Sequence, residues 1–113
     1  MDGRDARRRA RRYYEAIDEA RYEDLRTLLD AEFVHDRPDR TLRGRDRFVE
    51  FMREDRPRTD TSHAIDDVYA NGDDVAVHGR LLAASGEPLF AFVDVFETAE
   101  NGRGFASLRT YTR

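Results

Sequence analysis

Leu89-Phe90-Ala91-Phe92-Val93-Asp94-Val95-Phe96-Glu97-Thr98 is the stretch that decides the fold. Aromatic and β-branched residues dominate it, so it reads as a strand over 89–98. Side chains alternate across a strand. Phe90, Phe92, Asp94 and Phe96 therefore share one face, and Leu89, Ala91, Val93 and Val95 share the other. Both rows are apolar, so both faces are expected to be covered. Asp94 stands inside the aromatic row. A carboxylate deprived of water favours its neutral form, and its pKa rises. Such a group can donate a hydrogen bond or shuttle a proton near neutral pH. The plainer alternative is a structural acid paired with an arginine or with backbone N–H groups, the usual state of a buried carboxylate.

Outward from this strand, the second half of the chain reads as strands joined by tight turns. Residues 60–70 form one, Asn71-Gly72-Asp73 is a hairpin signal, and 74–84 form the next, with Val75, Val77, Gly79 and Leu81 alternating against Ala76, His78 and Arg80. Ser85-Gly86-Glu87-Pro88 turns into 89–98, and Glu100-Asn101-Gly102 turns into a last strand over 104–112. The first half reads as helices. Over 4–21, Ala10, Tyr13, Tyr14, Ile17 and Ala20 recur at steps of three and four and make one apolar stripe. A short helix over about 23–30 turns Leu25, Leu28 and Leu29 inward. Phe33 and Val34 begin a short strand that Pro38 stops, and Asp39–Gly44 reads as a polar turn. A third helix over about 45–55 buries Phe48, Val49, Phe51 and Met52 and ends at Pro57. Helices followed by an antiparallel meander define an α+β class in a single domain, 1–113.

Composition removes several functional classes. There is no cysteine, which excludes disulfides, thiolate metal sites and cysteine nucleophiles. No apolar run approaches the roughly 20 residues that span a bilayer, and Met1 to Arg12 lack the apolar centre of a signal peptide, so a cytoplasmic protein with no membrane contact is expected. All 20 basic residues are arginine, and aspartate outnumbers glutamate 15 to 9. Such a surface resembles that of proteins from salt-loving archaea, although a high-GC genome also replaces lysine by arginine. Residues 1–12 hold six arginines against two aspartates, but no aromatic side chain interleaves with them to stack bases, and no nucleic-acid partner is expected. Asp5 with Arg9 and Arg11 with Glu15 are helix-spaced pairs, which accounts for this arm as a solvated helix start.

Two further clusters carry chemistry. His35-Asp36-Arg37-Pro38 closes the first strand, where polar groups often rim a cavity; the alternative is a surface turn facing water. Tyr13 and Tyr14 are adjacent and point about 100° apart on a helix, so one can turn its phenol toward the sheet, where an acid such as Asp94 is a suitable partner. His35, His63 and His78 match no metal-ligand spacing, and no metal site is expected.

The order and spacing of these elements resemble the nuclear transport factor 2-like superfamily, and within it the SnoaL-like, polyketide-cyclase-like domains. The segments that carry the likeness are Tyr13–Ile17, Phe33–Pro38, Leu42–Asp46, Phe92–Phe96 and Leu108–Tyr111, and together they span nearly the whole chain. The resemblance implies a cone-shaped α+β barrel, with N-terminal helices packed on a curved, mainly antiparallel sheet around an apolar pocket. It also implies a homodimer formed through the outer sheet face, with Val93, Val95, His78, Arg80, Arg109 and Tyr111 outward. Phe90, Phe92, Asp94 and Phe96 would face the cavity with Val75, Val77, Leu81, Leu108 and Thr110. By the same resemblance Tyr13 and Asp94 match the oxyanion-binding pair of the ketosteroid isomerases, and Asp94 matches the acid/base of the cyclases. The isomerase base, an aspartate just before a proline, is replaced by Arg37, with Asp36 one step earlier. A one-residue change reverses the direction of a strand side chain, which argues against steroid isomerisation. The arginine–aspartate constellation of the epoxide hydrolases is absent, with Leu82 two residues past Arg80.

Two functions fit these residues. The first is an isomerase, cyclase or dehydratase that needs neither metal nor nucleotide cofactor and acts on a small carbonyl compound. Asp94 and Tyr13 would be catalytic, while His35, Asp36, Arg37, Phe90, Phe92, Phe96 and Leu108 would bind the small organic ligand. The second is a non-catalytic dimeric module of the same fold, in which Asp94 holds structure. An arginine-mediated interaction domain ranks behind both.

Overall fold

The computed structural model describes residues 3–56 and 58–113, so the stop expected at Pro57 lies outside the described residues. Helix α1 (Gly3–Asp18) buries Ala6, Ala10, Tyr13, Tyr14 and Ile17, a stripe with the helical period expected from sequence. The chain reverses after it through Ala20, which adopts a left-handed φ of 56°. Helix α2 (Tyr22–Thr27) is short and buries Leu25. Strand β1 (Leu29–Asp36) follows almost at once. Leu29, expected to finish the second helix, instead begins this strand.

The polar turn expected over 39–44 contains a three-residue strand, β2 (Thr41–Arg43), paired antiparallel with β1. Leu42 is its one buried residue, so period-two patterning had too little to register. Helix α3 (Arg45–Glu50) then runs into a π-helical turn at Phe51–Asp55, where a uniform helix was expected. The wider turn leaves Phe48, Val49, Phe51 and Met52 all buried, as their spacing required.

Four long strands complete the domain: β3 (Ser62–Asn71), β4 (Asp74–Leu82), β5 (Pro88–Thr98) and β6 (Phe105–Thr112). They form a six-stranded mixed sheet in the order β2-β1-β6-β5-β4-β3. Neighbours pair antiparallel except β1 and β6, which run parallel. The helices cover one face only. There Phe33, Phe48, Phe96, Phe105, Leu108, Val75 and Val77 make a core with Ile17 and Leu25. Each fully buried ring or branched side chain contributes on the order of 2 kcal/mol.

Both faces of β5 were expected to be covered. In the single chain the outer face is open: Val93 is 37% exposed, and Tyr69 and Tyr111 are exposed beside it. No helix among the described residues is long and apolar enough to cross a membrane.

Candidate active site

The open end of the sheet and the helices enclose a cavity of about 450 Å³. Its apolar walls come from Ile17 and Tyr13 on α1, Met52 on the π-helical turn, and Leu81, Leu89, Phe90 and Phe92 on β4 and β5. Its polar groups include Asp94, Thr110, His35 and His63, with Thr61, Thr112, Arg37, Asp39, Arg56 and Arg58 also among the lining residues. An apolar hollow with a few convergent polar groups is the usual form of a small-molecule site.

Asp94 is 5% exposed and lines this hollow. The register that pairs Asp94 with Val77 on one side and Thr110 on the other places it in the centre of the sheet. The Thr110 hydroxyl donates to Asp94 Oδ1 at 2.5 Å, and the Tyr14 hydroxyl donates to Oδ2 at 2.6 Å. Those two bonds and the charge of Arg37 favour the ionised form. Burial outweighs them and holds the carboxyl above the usual aspartate range. Each oxygen keeps a second lone pair, so the group can carry its own proton while both donors stay in place.

The phenol that reaches Asp94 is Tyr14, not the Tyr13 expected from the resemblance. Tyr13 lines the cavity and meets the Tyr14 ring edge-on at 5.1 Å. Burial, and then the nearby Asp94 charge, push both phenols well above their ordinary pKa, so both are protonated donors at neutral pH. The roll of α1 on the sheet decides between them, and helix periodicity does not contain that angle.

His35 is buried and lines the cavity, and its Nε2 lies 2.8 Å from Thr110 Oγ1. Thr110 gives its single proton to Asp94, so His35 Nε2 is the donor and Nδ1 holds an unpaired buried lone pair. Burial, followed by the charge of Arg37, lowers the imidazole to about 3, and it is neutral. His35, Thr110, Asp94 and Tyr14 thus form one hydrogen-bonded chain.

The remaining expected residues divide. Arg37 lines the cavity, pairs with Asp39 at 3.1 Å and lies over the Phe51 ring. Phe90 and Phe92 line it as well. Asp36 does not. Its strand alternation turns it to the other side, where it accepts from Thr41 at 3.0 Å. Phe96 and Leu108, also expected at the ligand, lie beneath the cavity in the core, where Phe96 packs on Tyr13, Tyr14 and Phe105. Neither lines the cavity.

His63, Asp39, Arg56, Arg58, Thr61 and Thr112 line the cavity without having been expected as site residues, while Thr110, expected to face the cavity, does line it. A signal existed for His63. Asp18 follows Tyr14 by four residues, so both leave α1 on one face, and Asp18 holds His63.

Fold and cavity together define an α+β pocket protein in which Asp94, the one buried acid among the described residues, faces an apolar hollow. The model of the SnoaL-like domain matches residues 10–104, and the chain belongs to that family. Solved structures agree on the fold. A protein named as a candidate SnoaL-like polyketide cyclase from Shewanella denitrificans superposes with a TM-score of 0.78 at 15% identity, covering 96% of this chain and 90% of that one. One named as a candidate ketosteroid isomerase from Kribbella flavida gives 0.82 at 19% identity, over 96% of this chain and 77% of the other. An NTF2-like protein of unknown function from Cytophaga hutchinsonii gives 0.80 at 15%, over 96% and 89%. At such identities the likeness is one of fold. None of the curated proteins compared with the chain matches it.

Proposed function

We propose that this protein is a cofactor-independent acid/base enzyme of the isomerase, cyclase or dehydratase type, acting on a small carbonyl compound. One observation carries the reading: a carboxyl group whose pKa burial raises faces an apolar cavity of about 450 Å³ and is fixed there by Tyr14 and Thr110. A ketone oxygen placed against Asp94 accepts its hydrogen bond, and takes its proton as the neighbouring C–H bond is broken. Preorganised donors aimed at the developing oxyanion supply the stabilisation. Tyr13 is a second donor from the cavity wall. Arg37 at the lining meets polar substituents, and Phe90 and Phe92 hold the apolar body.

The two names of cyclase and isomerase among the structural relatives favour this chemistry. The second reading, a ligand-binding module without turnover, is favoured by the same two hydrogen bonds, since they also suit a structural acid. In either reading two copies pair through the outer sheet face. The exposed Tyr69, Val93 and Tyr111 support this, with the ion pairs Arg80–Asp66 and Arg109–Glu97 beside them. The lysine-free, aspartate-rich surface supports a salt-rich cytoplasm as the setting.

The test is α-proton exchange in D2O, followed by proton NMR on cyclohexanone, indanone and a β-hydroxyketone. Wild-type protein is expected to accelerate exchange, and Asp94→Asn to lose about 10²-fold or more with its thermal midpoint kept. No acceleration with any of these ketones, together with a midpoint raised by them, would leave the binding module as the function.

A further inference from the structure

Asp18 and His63 form a second polar pair on the same cavity. Asp18 ends α1, one helical turn beyond Tyr14, and His63 lies at the start of β3. His63 Nδ1 lies 2.6 Å from Asp18 Oδ1, and the His63 backbone N–H donates to Asp18 Oδ2 at 2.9 Å. The two side chains are 15% and 20% exposed. A carboxylate only accepts, so Nδ1 carries a proton toward Asp18, and Nε2 is the ring nitrogen that Asp18 leaves free. The ring lines the cavity, tilted against Tyr14 at 5.0 Å and edge-on to Phe92 at 5.7 Å. Tyr14 donates to Asp94, so an acid and an imidazole flank one phenol.

We propose that His63 is the general base of this site and that Asp18 is its positioning residue. The proposal rests on the acid/base reading above and names its missing half. His63 Nε2 takes the proton from the carbon next to the carbonyl. The C–H electron pair becomes the C=C bond of the enol, and the carbonyl π pair moves to oxygen, which takes the Asp94 proton. The imidazolium then returns a proton to carbon, or gives it to the departing hydroxyl of a β-hydroxyketone, which leaves as water. The enol oxygen restores the proton to Asp94, so no oxidant, reductant or metal is consumed. The substrate class is therefore an enolisable ketone small enough for the cavity.

Asp18 accepts two bonds at once. An asparagine there has one acceptor oxygen, so either the backbone bond is lost or an N–H₂ group faces Nδ1 and moves the ring proton to Nε2.

The same exchange assay, with nitrogen-15 NMR of the histidine ring, decides the matter. Wild-type His63 is expected in the Nδ1–H form. His63→Asn, whose amide can still donate to Asp18, is expected to lose about 10²-fold or more in exchange with its midpoint kept. Asp18→Asn is expected to shift the ring to the Nε2–H form and to lower kcat rather than raise KM. Free imidazole is expected to restore part of the exchange in His63→Ala. A wild-type ring protonated at Nε2, or a His63→Asn protein that exchanges as fast as wild type, overturns the base assignment while leaving Asp94 as the acid. Wild-type protein inert toward all three ketones removes the acid/base reading itself, and the base with it.

Discussion

Burial lifts the Asp94 carboxyl and depresses the His35 imidazole, and Thr110 ties the two together. Their effects on stability run in opposite directions with pH. An unfolded aspartate releases its proton near pH 3.9, while native Asp94 keeps it higher. Over that window the native state holds a proton the unfolded chain has lost, so stability falls as pH rises through the raised value. His35 is the reverse: from 6.5 down to about 3 the unfolded chain takes up a proton that the native state refuses, and stability is lost as pH falls. Its share is at most about 5 kcal/mol. Urea titrations across this range are expected to show Asp94→Asn without the alkaline-side decline and His35→Gln without the acid-side loss. A wild-type curve left unchanged by both substitutions would refute the network. The residue scale also shows what sequence could reach. Strict alternation placed Asp94 among phenylalanines, and it is there. The choice of Tyr14 over Tyr13, and the turning away of Asp36, depend on helix roll and strand end geometry, which no local pattern encodes.

Among the elements, the β4–β5 pair shapes the cavity wall through a glycine. Gly79 is buried opposite Phe92. A Cβ there would stand 2.5 Å from the Ala64 carbonyl oxygen and 2.8 Å from Phe92 Cζ. The first neighbour is backbone and cannot step aside. Gly79→Ala is therefore expected to cost about 2 kcal/mol, a fall of about 10 °C in thermal midpoint measured by calorimetry. A midpoint within a degree of wild type would show that β3 and Phe92 yield freely. The long strands were legible because β-branched and aromatic runs with turn residues between them leave few alternatives. The short β2 and the π-helical turn at Phe51–Asp55 were not. Each is a local adjustment to packing on β1 and the core, made by residues whose own preferences are indifferent.

For the molecule as a whole, the exposed outer face is the feature that an isolated chain does not explain. Val93 sits between His78 and Tyr111 in the sheet register, and Tyr69 lies one row away. Sedimentation velocity is expected to show a dimer, and Val93→Arg to convert it to a monomer with the cavity side unchanged. A wild-type protein that sediments as a monomer at its highest soluble concentration would remove the proposed pairing. The architecture was readable because the order of elements is itself distinctive, whereas the partner of a surface is written on two molecules at once.

The central seat of β6, parallel to β1 and beside β5, bears on how the domain comes into being. Tyr14 and Asp94 are 80 residues apart, and Thr110 belongs to the last strand. On the ribosome Tyr14 emerges well before Asp94, whereas Thr110 follows it by 16 residues, so the acid gains both hydroxyl donors only once β6 is made. Closure over such sequence distances is slow, so the chemistry-bearing centre is assembled at the end of folding rather than at its nucleus.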